Sequence, residues 1–115
     1  MRVDVSPRAM RRILRERLEK TFDRLKQDNY YAYRLLCSGS IYLRPVSERY
    51  YLNHFTYWDM PDDWNEENSR EVLGILLDRY LLEEVHDPRY GYTLRQHNLI
   101  RTVALERLEQ LNTKT

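Results

Sequence analysis

The sequence predicts a small α+β domain that is mostly helical and begins with a long amphipathic helix. Three segments carry apolar residues at helical spacing, and a short stretch between the last two has the pattern of a β-hairpin. Only three glycines and four prolines occur, which indicates regular elements joined by short connections. A chain of 115 residues has the usual length of one domain, so we expect residues 1–115 to form a single core.

The N-terminal helix is predicted over residues 6–27. Ser6 is a favourable N-cap, and Pro7 suits the first helical position because its missing N–H would be unpaired there anyway. Apolar residues then recur every three or four positions, which is typical of a helix with one buried face. These residues are Met10, Ile13, Leu14, Leu18, Phe22 and Leu25.

The middle of the chain gives weaker signals. We predict a helix over Tyr30–Cys37, a short edge strand over Ile41–Arg44 and one or two helical turns over Ser47–Phe55. An irregular acidic connection follows over Thr56–Asn68, and its two tryptophans would anchor it to the core. Helix and strand signals conflict within residues 38–68.

The C-terminal part predicts a helix, a hairpin and a helix. Asn68 or Ser69 is expected to cap a helix that runs to Leu82, and Gly74 inside that helix suggests the close approach of another element. A hairpin over residues 83–94 and a last helix ending at Leu111 complete the chain.

Residues 69–111 resemble the second half of a winged helix-turn-helix domain. The resemblance lies in the stretches LGILLDRYLLEEVHDPRYGYTL and LIRTVALERLEQ. It implies a recognition helix over Leu73–Leu82, a β-wing over Glu84–Leu94 and a closing helix over Leu99–Leu111, which often serves dimerisation in that family. The C-terminal unit is therefore expected to be winged-helix-like.

The chain departs from that family where DNA would be contacted. A recognition helix usually presents Arg, Lys, Asn, Gln or Ser to bases and phosphates, whereas this one presents Glu71, Asp78 and Arg79. The loop before it is also acidic, so phosphate repulsion would oppose docking. The departure points to a winged helix that binds protein.

Charge is divided between two opposed blocks. Residues 1–26 hold nine Lys and Arg against four Asp and Glu, whereas residues 57–87 hold two Arg against ten acids. The formal net charge is nevertheless only +1. Opposed blocks predict partners chosen by charge, or self-association of the basic block with the acidic block.

The candidate partner-binding residues come from both blocks. Seven of the ten tyrosines lie between residues 30 and 57, and Tyr, Trp and Arg are enriched at interface hot spots. A solvated helix face, ordinary core packing and single-strand stacking are the alternatives for these side chains. The predicted partner-binding residues are Arg8, Arg11, Arg12, Arg15, Tyr57, Trp58, Asp62, Asp63 and Trp64.

Nucleic acid is the alternative partner. Arginines spaced along one helix can follow a phosphate backbone, and a wing can add further phosphate contacts. The residues that would make these contacts are Arg11, Arg12, Arg15, Arg89 and Arg95.

No catalytic or cofactor motif is present in the sequence. Cys37 has no recognisable motif around it and is expected to be a buried structural thiol, and the histidines have no metal-ligand spacing with it. Scattered glycines cannot form a phosphate-binding loop, and the acidic loop lacks the alternation and turn glycine of a calcium site. We expect no cofactor and no metal.

The predicted function follows from these points. We expect a non-enzymatic adaptor, inhibitor or assembly subunit that binds another protein, with a homodimer through the charged blocks or the closing helix as an addition. The alternative is a DNA-binding transcriptional regulator. One cysteine and no stretch of about 20 apolar residues predict a cytoplasmic protein without membrane contact.

Overall fold

The computed structural model describes residues 6–112, so the single domain predicted over 1–115 extends beyond the described residues at both ends. Within them the chain is a mostly helical α+β fold with one two-stranded antiparallel sheet, which confirms the predicted fold class. The elements are α1 Pro7–Asp28, α2 Tyr30–Ser38, a 3₁₀ turn Gly39–Ile41, α3 Glu48–Leu52, α4 His54–Tyr57, α5 Glu66–Asp78, β1 Glu83–Asp87, β2 Gly91–Arg95 and α6 Asn98–Asn112.

The first two helices are joined by one residue. Ser6 caps α1 by accepting a hydrogen bond from the Ala9 N–H, as the sequence predicts. Asn29 has an extended backbone and stops α1, and its side chain then accepts a hydrogen bond from the Ala32 N–H at the start of α2. This tight corner folds α2 back against the C-terminal half of α1.

Helix α2 lies at the centre of the core. Its residues Ala32, Leu35, Leu36 and Cys37 are fully buried, and α1, α5 and α6 pack around it. Each large apolar side chain buried in this way stabilises the fold by about 1.5–3 kcal/mol relative to exposure. The predicted short aromatic helix is thus the element that the other helices surround.

The edge strand predicted over residues 41–44 is wrong. The chain forms the 3₁₀ turn and a bend there, and Ile41 and Leu43 are exposed, so their alternation has no core face to bury. The nearest β-pairing within residues 6–112 is a single bridge just after this segment, in which Val46 and Leu94 exchange two backbone hydrogen bonds. Pro45 has no N–H to extend that ladder.

Helix α5 starts earlier and ends earlier than predicted. Asn65, rather than Asn68 or Ser69, is the N-cap, and Asn68 forms the reciprocal half of a capping box, with both bonds at 2.9 Å. The helix ends at Asp78 instead of continuing to Leu82. Asparagine occupies the third helical position, where a capping box usually has Glu or Gln. Because asparagine is itself a common N-cap residue, the sequence places the start of the helix too late.

A Schellman motif terminates α5. The Leu81 N–H donates to the Leu76 carbonyl over 2.9 Å, and the Tyr80 N–H donates to the Leu77 carbonyl over 3.1 Å. Tyr80 therefore occupies the left-handed position, with φ of +59°, where glycine is the usual residue. Its side chain is 86% exposed, so little packing offsets the backbone strain.

The hairpin and the last helix complete the fold. Strands β1 and β2 pair from Glu83 opposite Arg95 to Asp87 opposite Gly91, and the Asp87 carboxylate caps the turn. Helix α6 turns its apolar side inwards, and Ile100, Val103 and Ala104 are buried in the core. The apolar stripe predicted for dimerisation is thus largely used inside the chain. No helix among residues 6–112 is long and apolar enough to span a bilayer.

We predict that Tyr80→Gly stabilises the protein. Glycine adopts the left-handed backbone without the clash between Cβ and carbonyl oxygen, so the free energy of unfolding should rise by about 0.5–1 kcal/mol despite glycine's larger unfolded-state entropy. Urea denaturation measures the change. Tyr80→Ala is the matched control, because it removes the same exposed ring and keeps the strain. Equal stability of the two variants would refute the backbone explanation.

Candidate protein-interaction surfaces

The first three turns of α1 project from the core. From Pro7 to Leu14 every side chain except that of Ala9 is exposed, and we call residues 7–17 the α1 arm. Met10, Ile13 and Leu14 are 46%, 36% and 41% exposed. They continue the stripe that is buried further along the helix, so the apolar face of α1 is longer than the core that it covers.

Arginines flank this exposed stripe. Arg15 pairs with Glu106 of α6, and Arg11 donates only a 3.4 Å hydrogen bond to the Pro7 carbonyl. Arg8 and Arg12 have no side-chain partner among residues 6–112. The four arginines predicted as a partner-binding group therefore lie on one side of the arm, beside exposed apolar side chains, and Arg15 is the one that forms an ion pair within residues 6–112.

The outer face of α5 is acidic. Glu67, Glu71 and Asp78 are spaced by four and seven residues, so they lie on one side of the helix, and all three are exposed. Gly74 lies between them, and a Cβ added there would meet nothing within 4 Å. The close approach predicted at Gly74 is therefore not made by any element within residues 6–112. We call these four residues the α5 outer face.

The acidic loop before α5 is held by its tryptophans. Trp64 stacks on Phe55 with ring centroids 5.6 Å apart, and its indole N–H donates to Ser69 over 2.8 Å. Asp62 and Asp63 are exposed beside it. The aspartates are thus presented to solvent, whereas the Trp64 ring is mainly an anchor.

Tyr57 and Trp58, at the start of that loop, differ in their placement. Tyr57 is 86% exposed at the end of α4. Trp58 is half-buried, and its ring centroid lies 5.0 Å from that of Phe55. The Arg34 guanidinium covers the Trp58 ring at 4.3 Å from the centroid. Of the three predicted aromatic contact residues, Tyr57 alone presents most of its ring outward.

The C-terminal end of α5 lies beside the C-terminal end of α1. Arg79, directly after α5, pairs with Asp28 at the C-terminal end of α1 over 3.4 Å. Leu14 in the α1 arm is fourteen residues before Asp28, which corresponds to about 21 Å of helix. The Asp78 end of the α5 outer face therefore lies far along α1 from the α1 arm of its own chain.

Several acids of the acidic block are paired. Glu66 bonds Arg49 over 2.5 Å, and the hydrogen bond and charge of Arg49 lower the pKa of that carboxyl. Glu83 bonds Arg95 over 2.8 Å, which lowers the pKa of Glu83 in the same way. Of the two wing arginines predicted for nucleic acid, Arg95 is therefore engaged, and Arg89 lies in the exposed hairpin turn.

Arg107 is an important residue that the sequence reasoning missed. Its buried guanidinium bonds Glu19 over 2.6 Å and Asp23 over 2.9 Å, and it lies 3.4 Å from the Tyr33 hydroxyl. It ties α6 to α1 and α2. An arginine within the apolar stripe of α6 was the available signal, since such a position must find carboxylate partners.

We predict that Arg107→Met destabilises the protein by about 1–3 kcal/mol, because the buried Tyr33 hydroxyl loses a partner and the two carboxylates lose their cation. The loss is limited because both carboxylates remain partly exposed. Arg15→Met, which breaks the exposed ion pair of Arg15 in α1 with Glu106 in α6, should lower the free energy of unfolding by less than about 1 kcal/mol. Thermal unfolding of both variants measures the difference, and equal losses would contradict the assignment.

His54 lies in a small polar network beside Tyr57. Its Nε2 is 2.7 Å from the Tyr42 hydroxyl, which donates to the Tyr50 carbonyl over 3.1 Å. The Nε2–H tautomer of His54 therefore satisfies both contacts. Burial lowers the pKa of His54 from its ordinary value of 6.5, so the folded state favours the neutral ring.

We predict that stability falls as pH drops below about 6.5, the pKa of an unperturbed histidine. The unfolded state then binds a proton that the folded His54 resists, so folding becomes less favourable with acidification. Urea midpoints at pH 7.5 and pH 5.5 (about one unit to either side of that value) measure the effect. His54→Gln should remove most of this dependence, and an unchanged slope in that variant would count against the buried histidine as its cause.

The lone thiol lies in the core. Cys37 is fully buried, and burial raises its pKa to about 12, so the nucleophilic thiolate is disfavoured. Among residues 6–112 no group of three histidine, cysteine, aspartate or glutamate side chains is placed to hold a metal ion.

No protein-family model, curated protein or solved structure matches the chain.

Proposed function

We propose that this chain is a non-enzymatic protein-binding subunit, acting as an adaptor, inhibitor or assembly factor, and that the α1 arm is its principal contact. The observation that supports this most strongly is the exposure of Met10, Ile13 and Leu14 in direct continuation of a buried stripe. An apolar helix face rimmed by charge is typical of a helix that packs against a partner.

The arginines of the α1 arm give this contact its specificity. Arg8 and Arg12 have no side-chain partner within residues 6–112, so they are available to carboxylates of a partner surface. Guanidinium groups suit such contacts because they bind carboxylates through two parallel hydrogen bonds. Exposed charges of one sign also accelerate encounter with an oppositely charged surface. The partner is therefore expected to be acidic.

A second contact is proposed at the end of α4 and in the acidic loop before α5. Tyr57 presents most of its ring, and Asp62 and Asp63 are exposed in the loop that Trp64 anchors. A rigid aromatic side chain next to acidic groups suits a basic partner surface. Two contacts of opposite charge on one small domain would let it bridge two proteins.

The chemistry of the described residues also favours binding over catalysis. The Cys37 thiol is buried and its pKa is raised, so it is poorly suited to nucleophilic attack. A single buried thiol is compatible with a reducing compartment, and we include a cytoplasmic location in the proposal.

Charge reversal in the α1 arm tests the proposal. Tagged wild-type protein and an Arg11→Glu, Arg12→Glu variant are compared as baits in nuclease-treated lysate at low and high salt. We expect a protein captured by the wild type to fall about tenfold or more with the variant, because attraction to its acidic surface becomes repulsion.

The matched control is Lys20→Glu with Arg24→Glu, which makes the same charge change on exposed positions of α1 outside the arm. The control should retain the partner. Equal capture by all three baits, or loss with the control as well, would count against the α1 arm as the contact.

A DNA-binding regulator is the second candidate. It is favoured by the hairpin that follows α5, by its bridge to Val46 and by the exposed turn residue Arg89, a placement that suits a wing. The exposed carboxylates of Glu67 and Glu71 on α5 would oppose entry into a groove. Recovery of nucleic acid without protein from untreated lysate, lost with Arg89→Glu and at high salt, would favour this candidate over the first.

A further inference from the structure

We infer that the α1 arm of one copy binds the α5 outer face of another, so that the chain associates head to tail. This inference rests on the proposed function, because it uses the same arm, and it names the partner as a second copy of this chain. Three features support it: complementary charge, an open helix surface at Gly74 and the absence, within residues 6–112, of any ion pair that joins the two surfaces.

The charges of the two surfaces are complementary. Arg8, Arg11 and Arg12 lie on an arm whose one ion pair within residues 6–112 is that of Arg15 with Glu106. On α5, Glu67, Glu71 and Asp78 are exposed and have no ion-pair partner in the same part of the chain. Two arms packed side by side would instead bring arginines together, which disfavours a symmetric contact through α1.

The α5 outer face also has space for a helix. Gly74 lies midway between Glu71 and Asp78, and nothing lies within 4 Å of the position that a Cβ would take. A glycine in a helix interior costs about 1 kcal/mol relative to alanine, and no neighbour within residues 6–112 uses the space that it leaves. A second helix can approach the backbone closely at such a position.

Apolar contact is available at the end of the same helix. Tyr80 is the second residue after α5, is 86% exposed and has a backbone conformation in which glycine would be less strained. Its ring could cover part of the exposed stripe formed by Met10, Ile13 and Leu14. The contact would then combine an apolar centre with charged flanks, which is the usual arrangement of a protein interface.

No ion pair within residues 6–112 joins the α1 arm to the α5 outer face. Asp28, which pairs with Arg79 just after α5, lies about 16 Å of helix beyond the end of the arm at Arg17. Two different surfaces of opposite charge that pair between copies make a heterologous contact. Repetition of that contact forms a ring if the rotation closes and an open filament if it does not.

The contact is expected to be weak. A helical arm of eleven residues is about 16 Å long and offers less than the roughly 800 Å² per partner of a standard interface. We therefore expect self-association at high protein concentration, and we expect salt to weaken it because its flanking pairs are exposed.

Charge-swapped variants of the purified protein test this pairing. Variant one carries Arg11→Glu and Arg12→Glu, and variant two carries Glu71→Lys and Asp78→Lys. Each variant alone presents like charges on both surfaces, so sedimentation velocity should show self-association weakened about tenfold or more. An equal mixture should associate again, because each arm then meets an outer face of opposite charge.

A third variant separates specific docking from general attraction between oppositely charged proteins. Gly74→Gln fills the open position without changing charge and replaces glycine with a better helix former, so the fold should be retained. In the wild-type background, Gly74→Gln should weaken self-association several-fold. Introduced into variant two, it should also weaken the association of that variant with variant one. Lys20→Glu with Arg24→Glu should leave wild-type association unchanged.

The outcomes distinguish this inference from the proposed function. A wild-type protein that stays monomeric at all concentrations, or a mixture that does not associate, overturns head-to-tail pairing. Association that is unaffected by Gly74→Gln also overturns it. If lysate capture still depends on Arg11 and Arg12 in either case, the α1 arm binds a different protein and the proposed function stands. If the arm variant changes neither association nor capture, both fail.

Discussion

The structure depends on the burial of the apolar face of α2. This helix has nine residues, too few to be stable alone in water, and it exists because α1, α5 and α6 cover it. The Leu36 carbonyl near its end also accepts a hydrogen bond from the side chain of Gln96, which ties the segment before α6 to the centre. Burial of one short apolar helix therefore fixes where the three longer helices lie.

Placement of the longer helices around α2 leaves part of α1 uncovered. The part of the apolar stripe from Leu18 to Leu25 packs against the core, and Phe22 and Leu25 are fully buried there. The α1 arm has the same pattern but no core beneath it. Exposure of the arm is thus a consequence of helix length, since α1 has 22 residues and the rest of the domain packs against only about half of its length.

Charge separation follows from the same geometry. The basic residues are concentrated on the free end of α1, whereas the acidic ones belong to the loop before α5 and to the outer face of α5. Internal pairs such as Arg49 with Glu66 neutralise part of the acidic block, and Arg15 with Glu106 neutralises part of the basic one. The charges that remain unpaired within residues 6–112 are the ones that can select a partner, and the two proposals use them.

The sequence by itself determined the mainly helical α+β class and the bounds of α1 to within one residue, because caps and apolar periodicity are local signals. The tertiary structure decided what local patterns do not encode. No strand among residues 6–112 pairs with the alternating residues 41–44, and the apolar side of α6 packs into the core of its own chain. Only the packed structure shows which apolar side chains are buried and which charged side chains are paired. It placed Arg107 among carboxylates and left the equally helical α1 arm exposed, because contacts between distant segments decide burial.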